Sequence, residues 1–331
     1  MGKRSNPSTF QGNLKKKYYF EGWYHKIVDK SANHIYAFIP AIALNKKEKD
    51  SHAFIQYLDG IKATADYFRF PLEEFENLSN KKYEIRIGKN FFSMDRIHLD
   101  IAQDDYEING DLQYFDPVPW PKKFLQPGVM GWFSYMPFME TYHGMVSMNH
   151  EIKGTITING EIIDFSKGKG YIEKDWGKSF PSSWIWTQSN HFTNPNLSFM
   201  FSIAKIPFLG MNFTGFLSAL WYEGDFYKFA TYTRAKVKYL EIHTDEIHVI
   251  VEDKKYRLHF EIAKKGIGLG ILKAPQEGVM SGHIAESINS KIKLKLIDKK
   301  SDIIIIEDRG VNAGLEIKNP EVLKPKKPKK Y

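Results

Sequence analysis

Over much of this chain, apolar and polar residues alternate one for one, and that rhythm narrows the fold more than any other feature. In Tyr256–Ala263 the apolar set is Tyr256, Leu258, Phe260 and Ile262, with Arg257, His259 and Glu261 between them. Side chains on a strand point alternately to opposite faces. One dry face and one wet face is the mark of an antiparallel sheet. Lys236–His243, Glu246–Val251 and Lys291–Leu296 follow the same period, with short polar turns at Glu252–Lys255 and Asp298–Ser301. Lys153–Asp164 alternates around Asn159-Gly160, which predicts a tight hairpin. Ile303–Ile306 is a continuous apolar run and predicts a strand buried on both faces. Helical periodicity is scarce. Pro71–Phe75 predicts one turn or two, and the glycine-rich Gly266–Gly270 reads as a loop, because no dinucleotide fingerprint follows it. The expected fold is mainly β: two antiparallel barrels or strongly curved sheets with few helices.

At 331 residues the chain has length for two domains. We expect domains over 18–167 and 168–319, divided near Ser166–Gly170, and basic tails over 1–17 and 320–331. The net charge of +8 belongs to those tails. Lys3, Arg4, Lys15, Lys16 and Lys17 stand without an acid in the first; five lysines face only Glu321 in the second. The body is nearly neutral and shows no basic stripe, so nucleic acid is not the expected partner. The tails have two open uses: solvating the chain ends or resting on anionic lipid. There is no uninterrupted apolar stretch of membrane-spanning length and no secretory signal is expected. With no cysteine, disulfides, thiolate metal sites and cysteine nucleophiles are excluded. The expected address is cytoplasmic, peripheral to a membrane if the tails bind it. No metal site is expected either: His243 and His248 are five apart across a turn, and no HExxH pattern occurs.

Aromatic residues are 15% of the chain, an amount suited to cores and to pockets for large apolar ligands. The proline- and aromatic-rich Phe115–Phe138 cannot hold a regular ladder. Its Trp120, Phe124, Trp132, Phe133 and Tyr135 are expected to pack across a barrel mouth or between sheets. The densest stretch is Gly170–Phe192. Trp184, Trp186, Gln188 and Asn190 would share one strand face, two indoles followed by two amides, as in a pocket wall with a polar end. Each of these residues, taken singly, reads equally as core.

Tyr171-Ile172-Glu173-Lys174-Asp175-Trp176-Gly177, then Phe180-Pro181, then Trp184-x-Trp186-x-Gln188-x-Asn190-x-Phe192 resembles the signature of the tocopherol cyclase family, including its bacterial members. The blocks Phe20–Tyr24, Pro137–Gly144 and Phe229–Tyr232 agree in order, and the resemblance spans most of 18–319. It implies a two-part lipocalin-like β architecture. It also implies closure of a chromanol ring on a prenylated hydroquinone, by protonation of an alkene and capture of the tertiary cation by a phenol oxygen. The plant enzymes carry Asn at the place of Asp175, a glycine run at Gly177-Lys178-Ser179 and Cys at Ser189. Asp175 is therefore not expected to be the essential acid.

Alkene protonation needs a positioned carboxyl kept neutral by apolar surroundings. The cation needs an aromatic wall. Neither step requires a cofactor. Glu173 is the first candidate acid, Glu140 the second and Glu21 the third. Asp175 stands beside Glu173, and His143 and His191 are candidate proton relays. Trp23, Tyr24, Tyr171, Trp176, Trp184, Trp186, Gln188 and Asn190 are the expected substrate contacts. Lys174 reads as a surface residue or a partner of Asp175. Two other readings share the apolar cavity: a binding protein for an isoprenoid or other lipid, and a hydratase or isomerase that captures the cation with water.

Overall fold

The protein is described by a computed structural model that covers residues 3–47, 50–137, 139–208, 211–264, 266 and 268–323. Among the described residues the structure is strand and loop, and the helices are 3-10 turns of three to five residues. No described helix is long and apolar enough to cross a membrane. The chain forms two compact units. The first takes residues up to Phe180 together with Leu269–Ala285. The second takes Pro181–Gly268 and the chain from Glu286.

The first unit is one large antiparallel sheet. Its strands run, edge to edge, Thr64–Phe70, His52–Asp59, Ile35–Leu44, Tyr19–Val28, Gly168–Gly177, Thr141–Ile158, Tyr106–Phe115, Arg96–Gln103, Asn90–Ser93, Glu84–Ile87 and Phe75–Asn77. Phe68 and Phe70 from one end of that order share a single buried core with Phe75, Ile85 and Ile87 from the other. The sheet therefore curls around its own core. The first long strand and the last, Tyr19–Val28 and Gly168–Gly177, meet in its middle. The Asn159-Gly160 hairpin forms as expected, both residues at positive φ (50° and 84°), as a two-residue turn requires.

In the second unit the strand order is Asp225–Ala230, Met211–Tyr222, Leu197–Phe208, Trp184–Ser189, Ile303–Lys318, Val279–Asp298, Tyr256–Ala263, Glu246–Glu252 and Lys236–Ile242, all antiparallel. The portion of Val279–Asp298 before Glu286 belongs to the first unit. Leu258, Phe260 and Ile262 are buried while Arg257, His259 and Glu261 are not, as the alternation requires. Phe260 makes edge contacts with Phe199 and Phe201, ring centroids 4.9 Å apart in both cases.

Four expectations need correction. The domain change is not near Ser166–Gly170: those residues lead into a central strand of the first sheet, and the units divide after Phe180. Ile303–Ile306 is not buried on both faces, since Ile303 is 62% exposed and Ile304 is also exposed. The Phe115–Phe138 segment buries Trp120 but leaves Phe124, Trp132 and Tyr135 in solvent; Phe138 lies outside the described residues. Finally, the N-terminal residues are not a free tail. Thr9 and Phe10 are buried, and Phe10 joins the core of the first unit. At the other end, Leu323 is buried in a 3-10 turn, and the lysine-rich residues after it lie outside the described residues. Deletion through Gly12 is accordingly expected to lower the melting temperature by at least about 5 °C, from loss of a buried phenylalanine alone. An unchanged melting curve would return this segment to a tail.

The core of the first unit also holds two histidines. His25 Nε2 lies 2.6 Å from the Tyr83 hydroxyl, and His150 Nδ1 lies 3.1 Å from Ser147 Oγ. Burial holds His25 well below the usual histidine range and brings His150 down to about 3. Unfolded, both would titrate near 6.5. Between pH 6.5 and the folded values the unfolded chain binds more protons, so stability falls as pH falls. We expect denaturant unfolding to show a loss of up to about 2 kcal/mol per histidine between pH 7 and 5. A flat profile would mean that both rings can take up protons in the folded state.

Candidate active site

The Gly168–Gly177 strand, which carries the Glu-Lys-Asp-Trp motif, lies between Tyr19–Val28 and Thr141–Ile158. Register sorts its residues onto two faces. Trp23 is opposite Lys174, and Glu21 opposite Trp176; on the other flank Gly144 faces Lys174 and Tyr142 faces Trp176. This face includes Trp23, Tyr19 and Trp176 of the buried core. On the other face Tyr24 is opposite Glu173 and Gly22 opposite Asp175, while Met145 and His143 face the same two from the far side.

The core face is organised around a buried ion pair. Lys174 and Glu21 are both fully buried, with Nζ 2.5 Å from Oε1. Lys174 also donates to the carbonyls of Pro7 (3.0 Å) and Thr9 (2.5 Å). Its ammonium lies 4.7 Å from the ring centroids of both Trp23 and Trp176. Desolvation lowers its pKa to about 8, against the pull of Glu21. Glu21 accepts further bonds from the backbone N–H of Gln11 (2.7 Å) and Gly12 (2.8 Å) and from the Tyr19 hydroxyl (2.5 Å). Its two oxygens are occupied by four donors and shut away from solvent, so Glu21 is a structural partner of Lys174 and not a proton donor to substrate. Lys174 is likewise neither a surface residue nor a partner of Asp175. Gly144 leaves room for the Trp176 indole: a Cβ there would come within 3.1 Å of the ring.

The opposite face carries the titratable cluster. The Tyr171 hydroxyl donates to Glu173 Oε2 at 2.5 Å. His143 Nε2 is 3.7 Å from that oxygen, and His143 Nδ1 is 2.9 Å from Asp175 Oδ1. Tyr171 is fully buried and Glu173 nearly so, whereas His143 and Asp175 are partly open. Burial, then the nearby Glu173 carboxyl, keeps the Tyr171 phenol protonated, well above its ordinary range. Asp175 can hold the Nδ1 proton of His143 and so present Nε2 toward Glu173. In that tautomer Nε2 carries the lone pair, 3.7 Å from the Glu173 carboxyl. One ligand atom from each of His143, Glu173 and Asp175 lies within 4.8 Å of the others, so the same trio offers donors to a divalent cation.

The remaining candidates fall elsewhere. Trp176 lies on the face opposite Glu173, stacked on Tyr142 with centroids 5.4 Å apart, and borders a cleft with Tyr18, Tyr19 and Lys178. Trp23 is fully buried, donates to the Ser8 carbonyl (3.0 Å) and stacks on Tyr83. Neither indole shares the Glu173 face. Glu140 is partly buried, and that burial raises its pKa, with Lys178 opposing. It is not part of the His143 cluster. Trp184, Trp186, Gln188, Asn190 and His191 belong to the second unit. There Trp184, Trp186 and Gln188 do share one strand face, away from the core residue Ile185. Trp184 Nε1 donates to Glu316 Oε2 at 2.7 Å, and His191 Nδ1 is 2.9 Å from Asn190 Oδ1. Sequence reasoning missed the Lys174–Glu21 pair. Its signal was the alternation itself, which puts Lys174 on the side of Trp176 within an otherwise buried strand.

Fold and site together define a lipocalin-like antiparallel β protein with an imidazole set between two carboxyl groups on one sheet face. Within that class the chain belongs to the tocopherol cyclase-like family, whose model matches residues 111–318. Among curated relatives, a rice protein (Oryza sativa subsp. japonica) named probable tocopherol cyclase, chloroplastic, is 25% identical over 201 residues, covering 58% of this chain and 42% of its own. The maize (Zea mays) chloroplastic tocopherol cyclase is 30% identical over 115 residues, 34% of this chain and 24% of its own. The chain thus spans less than half the length of either relative. Of solved structures, kievitone hydratase from Nectria haematococca superposes with a TM-score of 0.53 at 12% identity, covering 95% of this chain and 92% of its own. CghA gives 0.56 at 8% identity, covering 91% and 88%. These two likenesses concern the fold.

Proposed function

We propose that this protein is a tocopherol-cyclase-like enzyme that closes an oxygen ring on a prenylated hydroquinone or a similar isoprenoid phenol. The observation that carries the reading is Glu173, placed between the Tyr171 hydroxyl and a His143 imidazole braced by Asp175. The Glu173 carboxyl gives its proton to the trisubstituted alkene. Tyr171 steadies the carboxylate left behind. The phenol oxygen bonds to the tertiary carbon and releases its proton, which returns to Glu173 directly or through His143. Bonds and protons balance without an electron donor or acceptor. Membership of the family supports the reaction class.

The test is incubation with a prenylated hydroquinone and chromatography of the products by mass. A cyclised product has the mass of the substrate; a hydrated one gains a water, as a hydratase with this fold would make. Without turnover but with an isoprenoid lipid co-purifying, the protein is a binding protein instead. Within the cyclase reading, Asp175→Asn keeps an oxygen that accepts from His143. It is expected to slow turnover less than about tenfold, short of the ~10²–10⁴ carried by a positioned acid. A hundredfold loss would make the Asp175 charge essential.

A further inference from the structure

The proline-rich segment from Pro117 to Met139 contains no acidic residue, yet it carries Lys122 and Lys123 next to Phe124 and Leu125. Those two apolar side chains are 85% and 64% exposed. They occupy the tip of a tight turn whose base is closed by two backbone hydrogen bonds between Lys123 and Gln126, 2.9 and 3.0 Å long. Beside it, in the Gly131–Tyr135 turn, Trp132 is 45% exposed and stacked on Phe133. The projection is braced. The Tyr135 hydroxyl donates to the Phe124 carbonyl at 3.0 Å, and Arg4 donates to the Tyr135 carbonyl at 3.0 Å. Lys122 Nζ is bonded to Asn6 Oδ1, so the stretch from Arg4 to Asn6 is held against the same segment.

Solvent-facing Phe and Leu at a held tip cost hydration that a merely structural loop would avoid. Tryptophan and tyrosine favour the boundary between headgroups and acyl chains. Lysines beside them can lie along the apolar surface with their charge among anionic headgroups. We propose that this segment seats the first unit on an anionic lipid surface, with Phe124 and Leu125 entering the acyl boundary and Lys122, Lys123 and Arg4 meeting the headgroups. A narrow tip with basic shoulders matches a fluid charged surface better than the flat contact of two proteins. The proposal stands apart from the reaction proposed above.

The test is co-sedimentation of the full chain with vesicles of phosphatidylcholine alone and of phosphatidylcholine with phosphatidylserine in equal parts. The wild type should partition onto the mixed vesicles and far less onto the neutral ones. Phe124→Ser with Leu125→Ser should lower partitioning at least about tenfold, with an unchanged melting curve because both side chains already face water. Lys122→Gln with Lys123→Gln should lower it about fivefold per lysine on mixed vesicles only. No binding to either vesicle overturns the proposal. So does loss of binding on replacing the lysines at Lys324–Lys330 while the Phe124/Leu125 variant binds normally. A concentration-dependent dimer that the Phe124/Leu125 variant abolishes, in a wild type that ignores vesicles, would make the patch a contact between copies.

Discussion

Replacing Glu173 with glutamine is expected to lower turnover of a prenylated hydroquinone by at least about a hundredfold, the low end for a positioned general acid. The substitution is nearly isosteric. The glutamine amide oxygen can still accept the Tyr171 hydroxyl that Glu173 Oε2 accepts now. What is lost is the transferable proton. Affinity for the substrate and the melting temperature should therefore hardly move. His143→Gln should also slow the reaction, but less, because it interrupts resupply of the proton and not its delivery. If Glu173→Gln turns over at the wild-type rate, the acid lies elsewhere and Glu140 is the next candidate.

Replacing Lys174 with methionine should instead damage the fold. Its ammonium is held by Glu21, two carbonyls and two indoles, with no access to water. Removing one member of a buried ion pair typically costs about 3–5 kcal/mol, because the partner's charge is stranded. Glu21 would keep three donors, from Gln11, Gly12 and Tyr19, which places the expected loss near 3 kcal/mol, the low end of that range. The double variant Glu21→Gln/Lys174→Met should recover part of it, since a neutral pair strands no charge. Equilibrium unfolding of the three variants measures both effects. A Lys174→Met protein as stable as wild type would mean that the pair does not hold Pro7–Gly12 in place.

Much of the fold was legible from alternation, because half-buried antiparallel strands write their two faces directly into sequence. Tyr256–Ala263 and the Asn159-Gly160 hairpin are as expected. Where both faces of a strand are covered the pattern loses its meaning. Gly168–Gly177 buries nearly every residue, so its charged residues look like a solvated turn until their cross-strand partners are known. Those partners, Glu21 for Lys174 and His143 for Asp175, are 153 and 32 positions away in sequence, and short-range pattern does not reach them. Glu173, His143 and Asp175 were each legible as titratable residues, and the structure brings them together; that Trp176 faces away from them follows from period two and was overlooked because proximity in sequence suggested a shared pocket. The unit boundary was misplaced because Ser166–Gly170 has the composition of a linker while serving as a short connection between two strands of one sheet, each paired with Thr141–Ile158. Phe124 and Trp132 were expected inside on hydrophobicity alone, a rule that holds for cores and fails for projecting loops.

The division of one strand between two faces bears on how this motif can change over time. Under the proposed reaction Glu173 and Asp175 answer to chemistry; Lys174 and Trp176, interleaved with them, answer to folding. A single inserted or deleted residue would exchange the two sets at once, burying the carboxyls in the core and turning the ammonium outward. Neither half can drift by length change without the other failing, so divergence here is confined to substitution in place, and a saturation scan scored separately for stability and for turnover should separate into odd and even positions.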